Sequence, residues 1–413
     1  MPSPPSNRSV RDWYWREIAG VPFLLRNIIN IQRAGISRLI LLIDKNHKDV
    51  EDFYQHIIQD VRISLKLQWL SSSQQLMQTT KGTKELLLLD GSSLYEKAKI
   101  VSAITQNSNP KNSEIYRSYF LSETSLNSIL ELIDNFKYSM LEKIQEQSID
   151  SEPKTPDSEK QLRVYLPERG KATISKKTDF QVEGERIIKT SGGLKNDSFI
   201  TRTLSRPISQ RLTRLFLKTP FTPNQITILS FILGLGSAWC FFQGGYQMGL
   251  SGAGLLLLSI WIDGVDGEVA RIKLMESKMG AKLDIFCDNV VHIAVFFSIG
   301  TGLFHINGQI IFLYLGLLAA FGSLISFLML RATIIEDKSK ANSMNKDQQN
   351  ETDLIDKLTN RDFTHILFLL ALINHLDIFI WMTAVGVNLL AVFLLFSKMK
   401  LNFSMANEYK QDL

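Results

Sequence analysis

The hydrophobic pattern divides the chain into two unlike parts. Residues 1–200 alternate short apolar runs with polar positions, and long apolar runs begin only afterwards. Six long runs lie near 224–243, 247–269, 282–304, 308–331, 362–376 and 377–398. A membrane-spanning helix needs about 20 residues, with roughly 17 as a practical minimum. The first four runs meet this length, whereas the fifth is short and Asn374–Asp377 would form the turn before the sixth. The pattern predicts an α-helical polytopic membrane protein with six transmembrane helices.

The first part of the chain predicts a small soluble α/β domain. Residues 19–44 indicate an amphipathic helix that ends at Gly35 and leads into a buried strand, Leu39–Ile43. Glu85–Asp90 has the length and composition of a second buried strand. Strands that alternate with helices are typical of an α/β layer. The stretch 146–162 is rich in Ser, Pro and charged residues, which predicts a mobile segment.

An interfacial helix is predicted before the first membrane run. Over 205–219, one face carries Ile208, Leu212, Leu215 and Phe216, and the other carries Arg206, Arg211, Arg214 and Lys218. This pattern is typical of a helix that lies in the membrane interface, and the alternative is a solvated helix of the soluble domain. We therefore expect four parts: the α/β domain over 1–195, an interfacial helix over 196–222, a membrane domain over 223–400 and a tail over 401–413.

Charge and cysteine content narrow the class of protein. The net charge of +5 is mild and gives no case for a nucleic-acid partner. Lys and Arg cluster before the first apolar run, between the second and third, and around 331–361, so the positive-inside rule predicts cytoplasmic termini. The first thirty residues lack the apolar core of a signal peptide. The two cysteines, Cys240 and Cys287, both fall in predicted transmembrane helices, which excludes a disulfide framework.

Four aspartates carry the candidate chemistry. Asp263 and Asp266 are three residues apart, Asp284 and Asp288 are four apart, and each pair shares a helix face. A charge at the bilayer centre costs roughly 3 kcal/mol or more, so such residues are functional candidates. Carboxylate oxygens suit Mg²⁺ or Mn²⁺, and a two-ion carboxylate site can hold the oxygens of a phosphoryl transfer. The bland alternative is a set of aspartates that cap helix ends in a cytoplasmic loop.

The residues beside the aspartates add space and a positive charge to the candidate site. Gly267 and Gly280 leave room for a bulky group, and Arg271 supplies a cation suited to a phosphate oxygen. Asp288 is our candidate for the base that accepts a hydroxyl proton. A non-catalytic membrane protein that uses the aspartates to bind or conduct cations is the alternative. His292, one turn beyond Asp288, either supports the site or packs between helices.

The spacing of these residues resembles a family signature. D-x-x-D-G-x-x-A-R, eight residues, then G-x-x-x-D-x-x-x-D is the pattern of the CDP-alcohol phosphotransferases, also called the CDP-alcohol phosphatidyltransferase family. Every fixed position is filled, by Asp263, Asp266, Gly267, Ala270, Arg271, Gly280, Asp284 and Asp288. The resemblance extends over roughly 200 to 400, since the family has six membrane helices and an interfacial helix before the first.

The resemblance implies a reaction and roles for these residues. An acceptor hydroxyl would attack a CDP-linked alcohol and release CMP, with CDP-diacylglycerol and phospholipid biosynthesis as the leading context. Asp263, Asp266 and Asp284 would bind Mg²⁺ or Mn²⁺, two ions in all, and Asp288 would be both ligand and general base. The cytidine diphosphate would be lined by Gly267, Ala270, Arg271 and Gly280. A homodimer is also implied.

Two further assignments stay open at this point. Asn224 in Pro223–Gln225 resembles a family element near the nucleotide, and it is equally suited to cap the first membrane helix. The acceptor phosphate has several basic candidates near the predicted cytoplasmic face, most of which would be ordinary membrane anchors: Arg202, Arg206, Arg211, Arg214, Arg331 and Arg361.

The soluble part resembles pieces of the nucleotidyltransferase fold over 18–44 and 85–96. That fold cradles a triphosphate with a glycine-rich loop, yet no glycine precedes Gly20, which predicts a degenerate domain. The layout is similar to enzymes that join an inositol-phosphate cytidylyltransferase-like domain to a membrane phosphotransferase. An inositol phosphate or another polyol phosphate is thus a candidate acceptor. A soluble CDP-polyol donor, or a bifunctional chain that releases pyrophosphate from CTP, are the alternatives.

Overall fold

A computed structural model describes residues 9–42, 50–70, 75, 79, 85–87, 89, 91–105, 116–121, 162–167, 174–192, 201–340 and 363–411. The chain forms two compact units. The first comprises Met1–Ile187 with Ile272–Leu274, and the second comprises Ile188–Arg271 with Met275–Leu413. Of the predicted mobile segment 146–162, all but the last residue lies outside the described residues.

The first unit contains short helices and small sheets. Its helices are α1 (Val10–Tyr14), α2 (Phe23–Arg33), α3 (Val50–Ile58), α4 (Lys97–Thr105) and most of α5 (Lys177–Ser191). Its strands are β1 (Glu17–Ile18), β2 (Val21–Pro22), β3 (Arg38–Leu42), β4 (Lys66–Leu70), β5 (Glu85–Leu87), β6 (Tyr116–Leu121) and β7 (Leu162–Pro167). β1 and β2 form a hairpin, β3 pairs parallel with β4, and β7 lies between β5 (parallel) and β6 (antiparallel).

The predicted helix and strand around Gly35 are confirmed. α2 is continuous from Phe23 to Arg33 and buries its apolar residues, and Gly35 follows it with φ +95°, a conformation that favours glycine. β3 falls on the predicted strand, although Leu41 is its one fully buried described hydrophobic residue. β5 confirms the start of the second predicted strand, and Asp90 lies outside the described residues.

Three arginine side chains of the first unit donate hydrogen bonds to the segment Ile272–Leu274. The three carbonyl oxygens of Ile272–Leu274 accept hydrogen bonds from Arg26, Arg62 and Arg33 at 2.8, 2.7 and 3.1 Å, respectively. Burial, with the nearby charge of Arg62, lowers the pKa of the Arg26 guanidinium to about 10. The arginines therefore satisfy carbonyl groups that a helix end leaves without partners in its own backbone.

The second unit is helical. It contains a short π-helical turn (Thr201–Ser205) and then α6 (Arg206–Leu217), α7 (Pro223–Gln243), α8 (Tyr246–Ile272), α9 (Lys278–Asn307), α10 (Ile310–Lys340), α11 (Phe363–Leu372) and α12 (Leu376–Gln411). Its main core joins Phe241 and Leu256 to Val295, Phe296 and Phe379. The turn between α11 and α12 contains Asn374 with φ +60°, which is where the sequence predicted a turn between the last two apolar runs.

Five helices in the described residues are long and apolar enough to cross a membrane: Pro223–Gln243, Tyr246–Ile272, Lys278–Asn307, Ile310–Met329 and Leu376–Phe396. They match five of the six predicted runs and support a helical membrane-protein fold. α11 is apolar but has ten residues, which is too short to span by itself. The sixth crossing therefore stays a prediction.

α6 confirms a helix over the predicted interfacial segment but presents different faces. Leu212 and Phe216 pack against a buried cluster that includes Val265 and Val269 of α8. Leu215, assigned to the same apolar face, is 60% exposed. The fully buried positions of α6 are the polar residues Ser209 and Thr213, which the apolar pattern did not identify. A polar face of α6 is thus packed inside the second unit.

Candidate metal and nucleotide site

Local sequence builds the ends of the helices that carry the site. α7 begins with a capping box, in which the backbone N–H of Thr222 donates to Oε1 of Gln225 at 2.9 Å, and Pro223 occupies the first turn. α9 begins at Ser277, whose Oγ accepts from the backbone N–H of Gly280 at 2.9 Å. The cap of α7 is therefore Thr222, so the capping role considered for Asn224 is wrong.

Three of the four predicted aspartates come together. Carboxylate oxygens of Asp263, Asp284 and Asp288 lie within 4.8 Å of one another. Asp263 is 6% exposed, and the other two are half-buried. Within the described part of the chain this is the one such group of acidic, His or Cys residues. Three clustered carboxylates repel one another unless a cation lies between them, and oxygen ligands of this kind suit Mg²⁺ or Mn²⁺. The residues therefore fit a divalent metal ion.

Asp266 occupies a different position from the other three. It is equally buried, at 6% exposure, and its Oδ2 accepts a short hydrogen bond from the hydroxyl of Thr227 on α7. Thr227 is itself buried. The structure thus orients Asp266 through a neighbouring helix rather than grouping it with the three-carboxylate cluster.

Two predicted nucleotide residues from different helices lie side by side. A Cβ atom added to Gly280 would be 2.9 Å from Oδ1 of Asn224, closer than real Cβ contacts allow. Asn224 is exposed at the start of α7, and Gly280 is in the first turn of α9. The absence of a side chain at Gly280 therefore leaves room for the Asn224 amide, an arrangement that the sequence spacing could not reveal.

Arg271 folds back along its own helix. A Cβ atom at Gly267 would lie 3.3 Å from Nη1 of Arg271, and Nε of Arg271 donates to the carbonyl oxygen of Ser191 at 3.2 Å. Ala270 is half-buried, and its carbonyl oxygen accepts from the N–H of Met275 at 2.8 Å. Gly267, Ala270 and Arg271 thus form one surface near the end of α8.

The arginine candidates for an acceptor phosphate differ in environment. Arg206 forms an ion pair with Glu268 at 3.0 Å. Arg202 and Arg211 are exposed, and Arg214 is half-buried. The side chain of Arg331 and the whole of Arg361 lie outside the described residues.

His292 lies in an aromatic environment. Its ring is 5.3 Å from that of Phe363 in an edge-on arrangement and 6.2 Å from the stacked ring of Phe296. These contacts favour the packing interpretation of His292.

Sequence reasoning missed two residues, Thr227 and Glu268, that form contacts between the signature helix and its neighbours. Thr227 was not singled out, although it follows Asn224 by three positions in the same helix. Glu268 lies inside the signature at a variable position and is fully buried. The available signal was a third carboxylate between Asp266 and Arg271, which the signature leaves unassigned.

Comparison with known proteins finds similarity in the C-terminal helical part of the chain. Residues 221–392 match the family model of the CDP-alcohol phosphatidyltransferases. The bifunctional IPC transferase and DIPP synthase of Aquifex aeolicus is 38% identical over 116 residues, which cover 28% of this chain and 26% of that protein. The phosphatidylinositol phosphate synthase of Corynebacterium glutamicum is 34% identical over 98 residues, covering 24% of this chain and 44% of that protein.

Solved structures give a weaker likeness. The crystal structure of Mycobacterium tuberculosis phosphatidylinositol phosphate synthase with CDP-DAG bound is 20% identical, with a TM-score of 0.33, covering 46% of this chain and 92% of that one. The same enzyme in complex with manganese and citrate is also 20% identical, with a TM-score of 0.30, 46% of this chain and 87% of that one being covered. The match spans about a quarter of the length of the Aquifex aeolicus relative. Residues 221–392, which contain the whole signature, match the CDP-alcohol phosphatidyltransferase family model, and the long apolar helices support a helical membrane-protein fold.

Proposed function

We propose that this protein transfers a substituted phosphoryl group from a CDP-alcohol to an acceptor hydroxyl and releases CMP. One observation carries the proposal: the oxygens of Asp263, Asp284 and Asp288 approach within 4.8 Å inside the family domain. These residues come from both halves of the signature, on successive helices. A chance set of helix-capping aspartates would have no reason to converge on one point.

The aspartates hold the metal in this proposal. Asp263, Asp266, Asp284 and Asp288 bind two ions, Mg²⁺ or Mn²⁺, with Asp266 held in place by Thr227. Bound metal supplies positive charge that stabilises the phosphoryl oxygens as charge develops on them. A manganese complex of a solved family relative accords with this choice of metal.

Asp288 is the general base. Its carboxylate accepts the proton of the acceptor hydroxyl, and the hydroxyl oxygen then forms a bond to the phosphorus that carries the donor alcohol. The bond from that phosphorus to the bridging oxygen breaks, and CMP leaves with the electron pair. Protons and charge balance, because the base gains the proton that the acceptor loses.

The neighbouring residues bind the nucleotide. Gly267 and Ala270 give the cytidine diphosphate access to the helix surface, and Arg271 offers its guanidinium to a phosphate oxygen. Gly280 and Asn224 would bind the nucleotide together, since the Asn224 amide lies where a side chain at position 280 would be. An exposed amide with this fixed position suits the polar edge of a base.

CDP-diacylglycerol is the proposed donor, which places the reaction in phospholipid biosynthesis. An inositol phosphate or another polyol phosphate is the proposed acceptor, in keeping with a relative named phosphatidylinositol phosphate synthase. Other relatives are named IPC transferase and DIPP synthase, which favours a soluble CDP-polyol donor as the second candidate.

The proposal extends to the arrangement of the chain. Six helices cross the membrane, both termini are cytoplasmic, and the enzyme is a homodimer in the cytoplasmic or inner membrane. Residues 1–195 form a degenerate nucleotidyltransferase-like domain on the cytoplasmic side, followed by the interfacial helix region 196–222, the membrane domain 223–400 and the tail 401–413. The mixed small sheets of the first unit are compatible with an α/β domain but leave its relationship to a nucleotidyltransferase as a proposal.

The test is release of CMP by purified protein with Mg²⁺ or Mn²⁺, CDP-diacylglycerol and a panel of acceptors: inositol phosphate, glycerol phosphate and serine. We expect release that requires one acceptor and is lost in Asp288→Asn. Asp377→Asn is the matched control, because Asp377 is a half-buried aspartate in the first turn of α12 that lies outside the signature and faces His375. A parallel assay uses a water-soluble CDP-polyol donor. Equal turnover in Asp288→Asn and Asp377→Asn would contradict the role of Asp288, and no CMP with any donor would contradict the proposed reaction.

A further inference from the structure

Glu268 carries no role in the signature, yet it is fully buried, at 0% exposure. Its carboxylate accepts three hydrogen bonds from α6. Nη1 of Arg206 and Oγ of Ser209 donate to Oε1, each at 3.0 Å, and Oγ1 of Thr213 donates to Oε2 at 2.6 Å. Both carboxylate oxygens are therefore engaged by one neighbouring helix.

The three donors lie on one stripe of α6. Positions 206, 209 and 213 are separated by three and four residues, so they share a face of the helix. Ser209 and Thr213 are buried, and the side chain of Arg206 is 18% exposed. This stripe, defined by Arg206, Ser209 and Thr213, is the polar face of α6.

The contact lies on a face of α8 roughly opposite its aspartates, because successive residues of an α-helix are turned by about 100°. Gly264 and Glu268 are four residues apart and share a face, and a Cβ atom at Gly264 would lie 3.9 Å from Cβ of Ser209. Asp263 and Asp266 occupy neighbouring positions in the same turns of α8. Because side-chain directions are fixed relative to the helix axis, the contact that holds Glu268 against α6 also fixes the rotation of α8 and thus the direction in which Asp263 and Asp266 point.

A buried carboxylate is unfavourable unless it is paired and hydrogen-bonded. Three donors at fixed positions satisfy this one, and any slip of α6 by a turn would leave its charge without them. Buried polar groups of this kind serve to fix register between helices. Leu212 and Phe216 of α6 also pack against Val265 and Val269 of α8. Apolar contacts of this kind are less directional than hydrogen bonds, so they fix the position of one helix along the other less strictly.

We propose that Glu268 is a positioning residue that fixes α8 against α6 and so sets the orientation of Asp263 and Asp266. In this proposal Arg206 is the counter-ion of Glu268 and not a ligand of the acceptor phosphate. The inference rests on the proposed function only for the identity of the ligands, since the contact itself is independent of the reaction.

The first test measures Mn²⁺ binding by the purified full chain in detergent, using the paramagnetic resonance signal of free Mn²⁺. Removal of groups that orient metal ligands weakens metal affinity about 10–100-fold, and we expect a loss in this range for Glu268→Ala. Glu268→Gln keeps the shape and one oxygen acceptor, so we expect a smaller loss. Size-exclusion profiles establish that each variant is folded.

The matched control is Glu183→Ala, which removes a buried glutamate that pairs with Arg186 at 2.6 Å in the first unit. We expect wild-type Mn²⁺ affinity in this variant. An equal loss in Glu183→Ala and Glu268→Ala would overturn the proposal, because the effect would then be general destabilisation. Unchanged Mn²⁺ affinity in a folded Glu268→Ala variant would also overturn it.

A second test separates the two roles of Arg206. If Arg206 is the counter-ion of Glu268, Arg206→Ala should weaken Mn²⁺ binding and leave the KM for the acceptor within about twofold of wild type. In a protein that already carries Glu268→Ala, Arg206→Ala should cause little further loss of Mn²⁺ affinity. An acceptor ligand would instead give a raised acceptor KM with unchanged Mn²⁺ affinity, which contradicts the proposal. If wild-type protein binds Mn²⁺ but releases no CMP, the proposed function fails while the Mn²⁺ results still decide the role of Glu268.

Discussion

Thr227 and Glu268 illustrate how single residues outside the fixed signature positions set the geometry of the site. Each takes part in a contact between helices: Thr227 of α7 donates to Asp266 of α8, and Glu268 of α8 accepts from α6. Both contacts are buried, where a hydrogen bond to a carboxylate is stronger than in water and its loss more costly. At this scale the candidate site consists of its carboxylates and the groups that contact them.

Thr227→Val tests one of these contacts. Valine keeps the branched shape but cannot donate a hydrogen bond to Asp266, so we expect Mn²⁺ affinity to fall about 10-fold or more. Thr227→Ser should restore most of it, because the hydroxyl returns. Thr301→Val is the control, since Thr301 is a buried threonine that donates to carbonyl oxygens of its own helix. The prediction is wrong if Thr227→Val and Thr301→Val bind Mn²⁺ equally well.

Asp60 gives a pH-dependent prediction in the first unit. Hydrogen bonds from the Arg62 side chain lower the pKa of Asp60 from 3.8, although partial burial opposes them. A lowered folded-state pKa stabilises the protein above the unfolded value, and this contribution is lost as the pH falls through the folded value. Asp60→Asn should therefore lower the thermal unfolding midpoint at pH 7, with a difference that shrinks below pH 3.8. A difference that persists unchanged at pH 3 would contradict this account, which is checked by unfolding scans in matched buffers.

At the scale of elements, helix ends bring the signature residues together. α9 begins at the Ser277 cap, and its first turn presents Gly280 to Asn224 at the start of α7. The capping motifs of both helices are visible in the sequence, so the starts of the helices could be predicted. Their closeness could not, because it depends on how α7 and α9 pack.

Gly280→Ala tests the contact between these helix ends. The added methyl would lie 2.9 Å from Oδ1 of Asn224, so the amide must move. We expect kcat/KM for the CDP-alcohol to fall about 10-fold or more, since small displacements of positioning groups have large effects on rate. Gly236→Ala is the control, because nothing lies within 4 Å of a Cβ atom there. A Gly280→Ala variant as active as Gly236→Ala would exclude a role for this contact.

At the scale of the whole molecule, the number of crossings decides where the C-terminus lies. The described residues contain five helices of spanning length, and α11 has ten residues. Each crossing reverses the side of the membrane, so six crossings leave both termini on one side and five place them on opposite sides. The distribution of Lys and Arg favours the first arrangement.

A topology reporter distinguishes these arrangements. We expect a fluorescent protein fused after residue 413 to be fluorescent in the cytoplasm, and alkaline phosphatase at the same place to be inactive, when the chain is expressed in a bacterium. A companion fusion at the N-terminus should report the same side. Active phosphatase at the C-terminus with a cytoplasmic N-terminus would show that α11 adds no crossing.

The sequence by itself determined most of the helices and the candidate metal ligands of this protein. Five predicted apolar runs form helices long and apolar enough to span a membrane, because about 20 consecutive apolar residues have one favourable arrangement in a bilayer. The signature positions were readable because their spacing within each helix dictates a shared face. The α2 helix and its end at Gly35 followed in the same way from local pattern and backbone conformation.

Only the tertiary structure decided which of these groups meet. It showed that Asp263, Asp284 and Asp288 meet within 4.8 Å and that Asp266 accepts from Thr227. It also showed that Ser209 and Thr213 of α6, to which the sequence pattern gave no role, donate to Glu268. The physical reason is that periodicity fixes the direction of a side chain relative to its own helix, whereas the partner it reaches depends on how neighbouring helices are packed.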